Sequence, residues 1–186
     1  MIKFYGGTRT RATIVRWYLE ELGLPYEYIS LDLQAEEHRK PEFLAINPMG
    51  KVPALEDGDY KIWESGAILL YLAEKYSKIP SNAEISSTLA QWVIFANATL
   101  ALSIFLEDRR ERELPKLLPA LDKILQQKSF LCEDRLTVAD IAVGSYLHYG
   151  RQMATLDLSA YPAIVSYLEQ LSKSEAFQKA FNSDPV

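Results

Sequence analysis

Two short segments of this 186-residue chain carry residue types and spacings suited to holding a ligand. The first is Asn47-Pro48-Met49-Gly50-Lys51-Val52-Pro53-Ala54-Leu55, with a proline where a strand should begin. Proline cannot donate to a sheet ladder, so it is tolerated at a strand's first residue, at an edge or beside a bulge. A cis Val52-Pro53 bond would present the N–H and C=O of Val52 instead of pairing them within the sheet. The second segment, Trp63-Glu64-Ser65-Gly66, opens a helical pattern, and the free N–H groups of a helix start favour an anion. An extended backbone edge beside an anion site and a carboxylate describes a receptor for a small charged peptide.

The elements that must position these groups alternate in the first half. Ile2-Tyr5 reads as a short strand broken by Gly6-Gly7-Thr8. A helix from about Thr10 to Leu22 follows, with Ile14, Tyr18 and Leu22 on one face, and Gly23 is placed to end it. Tyr26-Leu31 is a second strand, parallel to the first because a helix connects them. Pro41 to Ile46 forms a short helix that stops before Asn47-Pro48. Val52-Glu56 and Tyr60-Trp63 flank Asp57-Gly58, a hairpin signal, and Glu64 to Tyr76 is helical.

Beyond a linker at 78–85 every segment reads as helix: Ser87 to about Arg110, Leu114-Gln127, Val138-Met153, Tyr161-Leu171 and a last one near Glu175-Phe181. Thr137 and Asp140 form a capping box flanked by Leu136 and Ile141, and the box serves folding. The fold class is α/β plus all-α, with domains at 1–77 and 86–186.

Composition narrows the function classes. Hydrophobic residues at 48% and charged residues at 24% are ordinary for a globular protein. With 20 basic and 25 acidic residues the net charge is −5, which argues against a nucleic-acid partner held through phosphates. The single cysteine, Cys132, excludes an intrachain disulfide, fits a reducing compartment and reads as a buried structural thiol. No secretory signal is visible. Trp92 to Leu106 falls short of the roughly 20 residues of a membrane span and reads as a buried helix. The expected location is the cytoplasm, with no membrane partner.

Together these residues resemble the glutathione S-transferase family over essentially the whole chain. Glu37-His38-Arg39-Lys40-Pro41-Glu42-Phe43-Leu44-Ala45-Ile46-Asn47-Pro48, then Val52-Pro53, then Trp63-Glu64-Ser65, is similar to its delta and theta classes. The short length and an arginine-containing first turn resemble the bacterial chi class. The resemblance implies an N-terminal thioredoxin-like domain followed by a C-terminal helical bundle domain. It also implies a homodimer and detoxification of small hydrophobic electrophiles by glutathione, a co-substrate rather than a cofactor. No metal is implied.

Residue by residue, the resemblance gives Val52, before cis Pro53, the cysteinyl backbone of glutathione. Glu64 would hold the γ-glutamyl ammonium and Ser65 the γ-glutamyl carboxylate, with His38 and Lys51 near the glycyl carboxylate. In isolation Glu64 and Ser65 would read as ordinary helix-starting residues, and His38 and Lys51 read equally well as solvated surface groups. Phe95, Phe105, Tyr146 and Tyr149 are candidates for the electrophile side, though most such residues are core.

The family pattern fails at the reacting group. Its usual Tyr, Ser or Cys is absent from Tyr5-Gly6-Gly7-Thr8-Arg9-Thr10-Arg11-Ala12, where the serine position falls on Arg9 and Tyr5 reads as core-facing or at the sheet edge. A free thiol with a pKa of about 8.5 is roughly 3% thiolate at pH 7. Lowering it by about two units takes roughly 2.7 kcal/mol of thiolate stabilisation. A helix N-terminus and a guanidinium can supply this, so Arg9 or Arg11, helped by Thr8 or Thr10, is expected to stabilise the thiolate. Two other functions compete: a non-catalytic interaction module of the same fold, and glutathione-dependent peroxide or disulfide reduction.

Overall fold

The computed structural model describes residues 1–79, 82–132 and 134–182. It divides into two compact units. The first comprises Met1–Ser77 together with the last helix, and the second runs from Lys78 to Ser174. The expected linker at 78–85 therefore falls partly outside the described residues, at 80 and 81.

The first unit is built on β1 (Ile2–Gly6), α1 (Ala12–Glu21), β2 (Tyr26–Ser30), α2 (Pro41–Leu44), β3 (Ala54–Asp57), β4 (Tyr60–Trp63) and α3 (Ser65–Tyr76). The four strands form one sheet in the order β2-β1-β3-β4. β1 and β2 run parallel, while β3 is antiparallel to both β1 and β4.

Local chemistry explains the borders of α1. The Thr10 hydroxyl donates to the Gly7 carbonyl (2.8 Å) and accepts from the Ala12 N–H (3.2 Å), so the helix starts two residues later than its pattern predicts. At its end Gly23 adopts φ +62°. There the Leu24 N–H reaches the Leu19 carbonyl and the Gly23 N–H reaches the Glu20 carbonyl, as in a Schellman cap. Ile14, Val15, Trp17, Tyr18 and Leu19 of α1 are all buried.

Two expectations for the hairpin shift by a residue or more. Val52 and Pro53 lie outside the sheet, and β3 begins only at Ala54. Asp57 pairs with Tyr60, so the turn is Gly58-Asp59, with Gly58 at φ +63°.

The second unit contains α4 (Ala83–Ile94), a π-helical turn (Phe95–Leu100), α5 (Ala101–Phe105), α6 (Glu107–Leu125), α7 (Val138–Met153) and α8 (Pro162–Ser172). The run from Ala83 to Phe105 is 23 residues long and begins and ends a few residues earlier than its pattern predicts. It is also less buried than expected, since less than half of its apolar stretch lies inside the structure. By length and composition alone this segment could cross a membrane.

The break at Leu106 comes earlier than expected, and α6 runs back through Pro115 and Pro119. Those prolines are four residues apart on an exposed face, where water can satisfy the carbonyls they leave unpaired. Cys132 is only half-buried, which corrects the expectation of a buried thiol.

The last helix, α9 (Glu175–Asn182), was grouped by sequence with the helical domain. It packs instead on α1, through aromatic contacts that no local pattern reveals.

Candidate functional site

The sheet registers explain why Val52-Pro53 and Glu64-Ser65 belong together. Tyr5, Ala54 and Trp63 stand in one row across β1, β3 and β4. The residues that follow along the three chains, past this last paired row of β1, β3 and β4, are Gly6 and Gly7, Pro53 and Val52, and Glu64 and Ser65. The strand ends thus bring the extended segment beside the start of α3 and the turn after β1.

The Val52-Pro53 peptide is cis. Val52 precedes the sheet and its N–H and C=O take no backbone partner among the described residues. The loop before it is held by a residue that sequence reasoning passed over. Asn47, 1% exposed, donates to the Lys51 carbonyl (2.6 Å) and accepts from the Met49 N–H (3.0 Å). Gly50 sits at φ +58° with Arg39 and the His38 carbonyl so close that a Cβ would meet both at 2.9 Å. The Asn-Pro-x-Gly turn signal could have pointed to this clamp.

At the start of α3, Glu64 adopts φ +69° and ψ +119°, unusual for any residue but glycine. Strain of this kind costs about 1–3 kcal/mol and collects at functional sites. Its side chain is exposed, has no ion-pair partner among the described residues and does not cap the helix. Ser65 is buried at the first helical position. The helix start thus offers N–H groups to an anion and a free carboxylate to a cation.

His38 and Lys51 reach the same region by different routes. His38 lies on a 3-10 turn (Glu37–Arg39) and is half-buried, with its Nδ1 enclosed and without a hydrogen-bond partner. Such an orphaned ring nitrogen suits a carboxylate ligand. Lys51 is exposed at the end of the Asn47 loop.

The turn after β1 sorts its four candidates. Thr10 is engaged in the local cap, and Thr8 is exposed. Arg11 occupies the position before α1 with an ordinary backbone (φ −64°, ψ −3°). Arg9 is exposed at φ +56°, the left-handed region, and makes no ion pair among the described residues. Tyr5 is core-facing, as the sequence suggests. Its hydroxyl donates to Glu56, and burial followed by that carboxylate pushes its pKa up, away from service as a thiol-activating group.

In the second unit, Tyr146 is buried and donates to Asn97 Oδ1 (2.8 Å), with Tyr149 packed edge-on against it. Phe95 packs on Trp92 and is half-buried, while Phe105 is 40% exposed.

Comparison with known proteins agrees with this geometry. Residues 1–74 match the family model "Glutathione S-transferase, N-terminal domain" and residues 85–184 match "Glutathione S-transferase, C-terminal domain". A zeta-class glutathione S-transferase of Euphorbia esula is 32% identical, covering 96% of this chain and 89% of its own length. The solved structure of a possible glutathione S-transferase from Rhodopseudomonas palustris is 33% identical with a TM-score of 0.84, covering 99% of both chains. A glutathione transferase homologue from Lodderomyces elongisporus, 25% identical with a TM-score of 0.84 and 99% coverage of both chains, holds two glutathiones per subunit. The chain belongs to the glutathione S-transferase family.

Proposed function

We propose that this glutathione transferase binds glutathione along Val52-Pro53 and the start of α3, and adds its thiolate to small hydrophobic electrophiles in a detoxifying role. The carrying observation is Glu64, a strained residue at the α3 N-terminus whose carboxylate, like the backbone of Val52, has no protein partner among the described residues. Glu64 takes the γ-glutamyl ammonium and Ser65 the γ-glutamyl carboxylate. Val52 pairs with the cysteinyl backbone, and His38 with Lys51 meets the glycyl carboxylate.

For thiolate stabilisation the reading favours Arg9 over Arg11. Arg9 has no ion pair among the described residues, and it holds a left-handed backbone, a kind of strain that collects at functional sites. Thr8 is the hydroxyl left to assist, since Thr10 is tied into the helix cap. A guanidinium beside sulfur favours the thiolate electrostatically and needs no general base. The arginine-containing turn favours a chi-like class within the family.

We read the protein as a cytoplasmic homodimer. Support for the second copy comes from the incompletely buried apolar run Ala83–Phe105, where Ile94 is 60% exposed. Ile94→Glu should then give a monomer in size-exclusion chromatography, and a monomeric wild type would end the dimer reading.

The activity is tested by glutathione-affinity retention, then conjugation of an aryl halide and an isothiocyanate by wild type, Arg9→Ala and Arg11→Ala. Loss of turnover in Arg9→Ala with retention intact is the expected result. Retention without turnover by the wild type would favour the non-catalytic module. Peroxide or disulfide turnover in place of conjugation would favour the reductase.

A further inference from the structure

The last helix of the chain closes over the outer side of α1, the helix whose first turn follows Thr8-Arg9-Thr10-Arg11. Trp17 of α1 is fully buried, and its ring meets Phe177 (5.0 Å, edge-on) and Phe181 (5.9 Å, edge-on) of α9. The two phenylalanines stack on each other at 4.4 Å. Lys179 of α9 lies 3.7 Å from Glu20, which also accepts from the Tyr26 hydroxyl (2.6 Å), and Glu21 accepts from the Trp17 indole N–H (2.9 Å). α1 is therefore gripped between α9 and the β2 edge over its C-terminal half.

The other end of α1 has little room to yield. Gly6 is hemmed in by Tyr28, whose ring packs on Phe4, and by Ala12: a Cβ on Gly6 would stand 2.4 Å from the Tyr28 oxygen and 2.7 Å from the Ala12 Cβ. A ten-residue helix is a stiff rod about 15 Å long. A tilt at Trp17 or Glu20 is thus transmitted to Ala12 and the turn before it.

We propose that α9 is the clamp that sets the direction of α1 and so holds the Thr8–Ala12 turn in position. Contacts more than 160 residues away in sequence thereby tune how strongly the bound thiol ionises. The proposal rests on the reading of that turn as the thiol site. It assigns no ligand to α9, whose residues act only through α1.

The test uses full-length Phe177→Ala/Phe181→Ala, with Phe181→Leu as a milder variant should the double one fail to fold. Hydrogen exchange over residues 8–15, the pKa of the bound glutathione thiol from its ultraviolet thiolate absorbance, and glutathione affinity are compared with wild type. The expected result is faster exchange at 8–15, a raised thiol pKa and roughly five- to tenfold weaker binding, the usual size of a coupling between sites. Unchanged exchange at 8–15 overturns the clamp. Faster exchange with thiol pKa and affinity both unchanged overturns its link to the site. If the wild-type bound thiol titrates like free glutathione, the thiolate reading itself fails. The clamp is then decided by exchange and affinity alone, and unchanged affinity overturns it.

Discussion

The starts of α7 and α3 each stand beside a carboxylate, and the two use it in opposite ways. At the start of α7, Asp140 is fully buried and accepts from the Leu131 N–H (2.8 Å), the Thr137 N–H (2.8 Å), the Thr137 hydroxyl (2.9 Å) and the Tyr167 hydroxyl (2.9 Å). Burial pushes its carboxyl pKa up while those four donors pull it back. At the start of α3, Glu64 is exposed, strained and without a partner among the described residues. A carboxylate whose bonds close within the protein specifies the fold. One held open at a conformational cost is available to a ligand.

The sharpest way to break this comparison is to remove each carboxylate in turn. Asp140→Ala leaves four buried donors without an acceptor and should cost about 4 kcal/mol of stability. For a chain of this size that lowers the melting temperature by roughly 10 °C in a thermal scan. Molecules still folded should bind glutathione normally. Glu64→Ala should do the reverse, weakening glutathione by about 3 kcal/mol, roughly a hundredfold in Kd by calorimetry, with the melting temperature intact. Normal affinity in Glu64→Ala would remove Glu64 from the site. A smaller effect follows from the strain: Glu64→Gly should match the loss of binding yet be more stable by about 1 kcal/mol, melting a few degrees higher, because glycine accepts φ +69° freely.

The same contrast explains what could be read from the sequence. The capping box was legible because Thr137 and Asp140 lie three residues apart and the interaction is local. The segments proposed to receive glutathione were legible as a pair for a related reason: the proline after Val52 and the helix start at Glu64-Ser65 are local signals, and a hairpin brings them together. The left-handed backbone of Arg9 and Glu64 was not legible, because neither residue type announces it. Nor was the Asn47 clamp separated from an ordinary turn signal. The register-dependent details also escaped, as with the Gly58-Asp59 turn and the start of β3 at Ala54 rather than Val52. The placement of α9 on α1 lay furthest from reach, since it depends on Trp17 meeting Phe177 and Phe181 across most of the chain. Pattern alone also carried the preceding helix to about Arg110 and began the next only at Leu114, because no local signal marks the extended backbone at Leu106 (φ −100°, ψ 120°) that separates α5 from α6.

A third carboxylate falls between these extremes and sharpens the distinction through pH. Asp57 ends β3 with 12% of its side chain exposed, and accepts from Lys75 (2.6 Å), Tyr71 (2.7 Å) and Tyr76 (2.5 Å) of α3. Burial alone would raise its pKa, but the Lys75 and tyrosine hydrogen bonds outweigh it and hold the carboxyl at about 2. A carboxyl lowered in the folded state contributes stability that is present above its unfolded value near 3.8 and lost as the pH falls through 2. Because the Lys75 ammonium is 46% exposed and screened, the contribution is about 1 kcal/mol rather than the full shift. Asp57→Asn should therefore melt a few degrees lower than wild type at pH 7, with the gap closing between about pH 4 and 2. Glu64→Ala, expected to melt like wild type at pH 7, has no such gap to close. If the two variants have the same pH dependence, the division between closed and open carboxylates does not describe this protein.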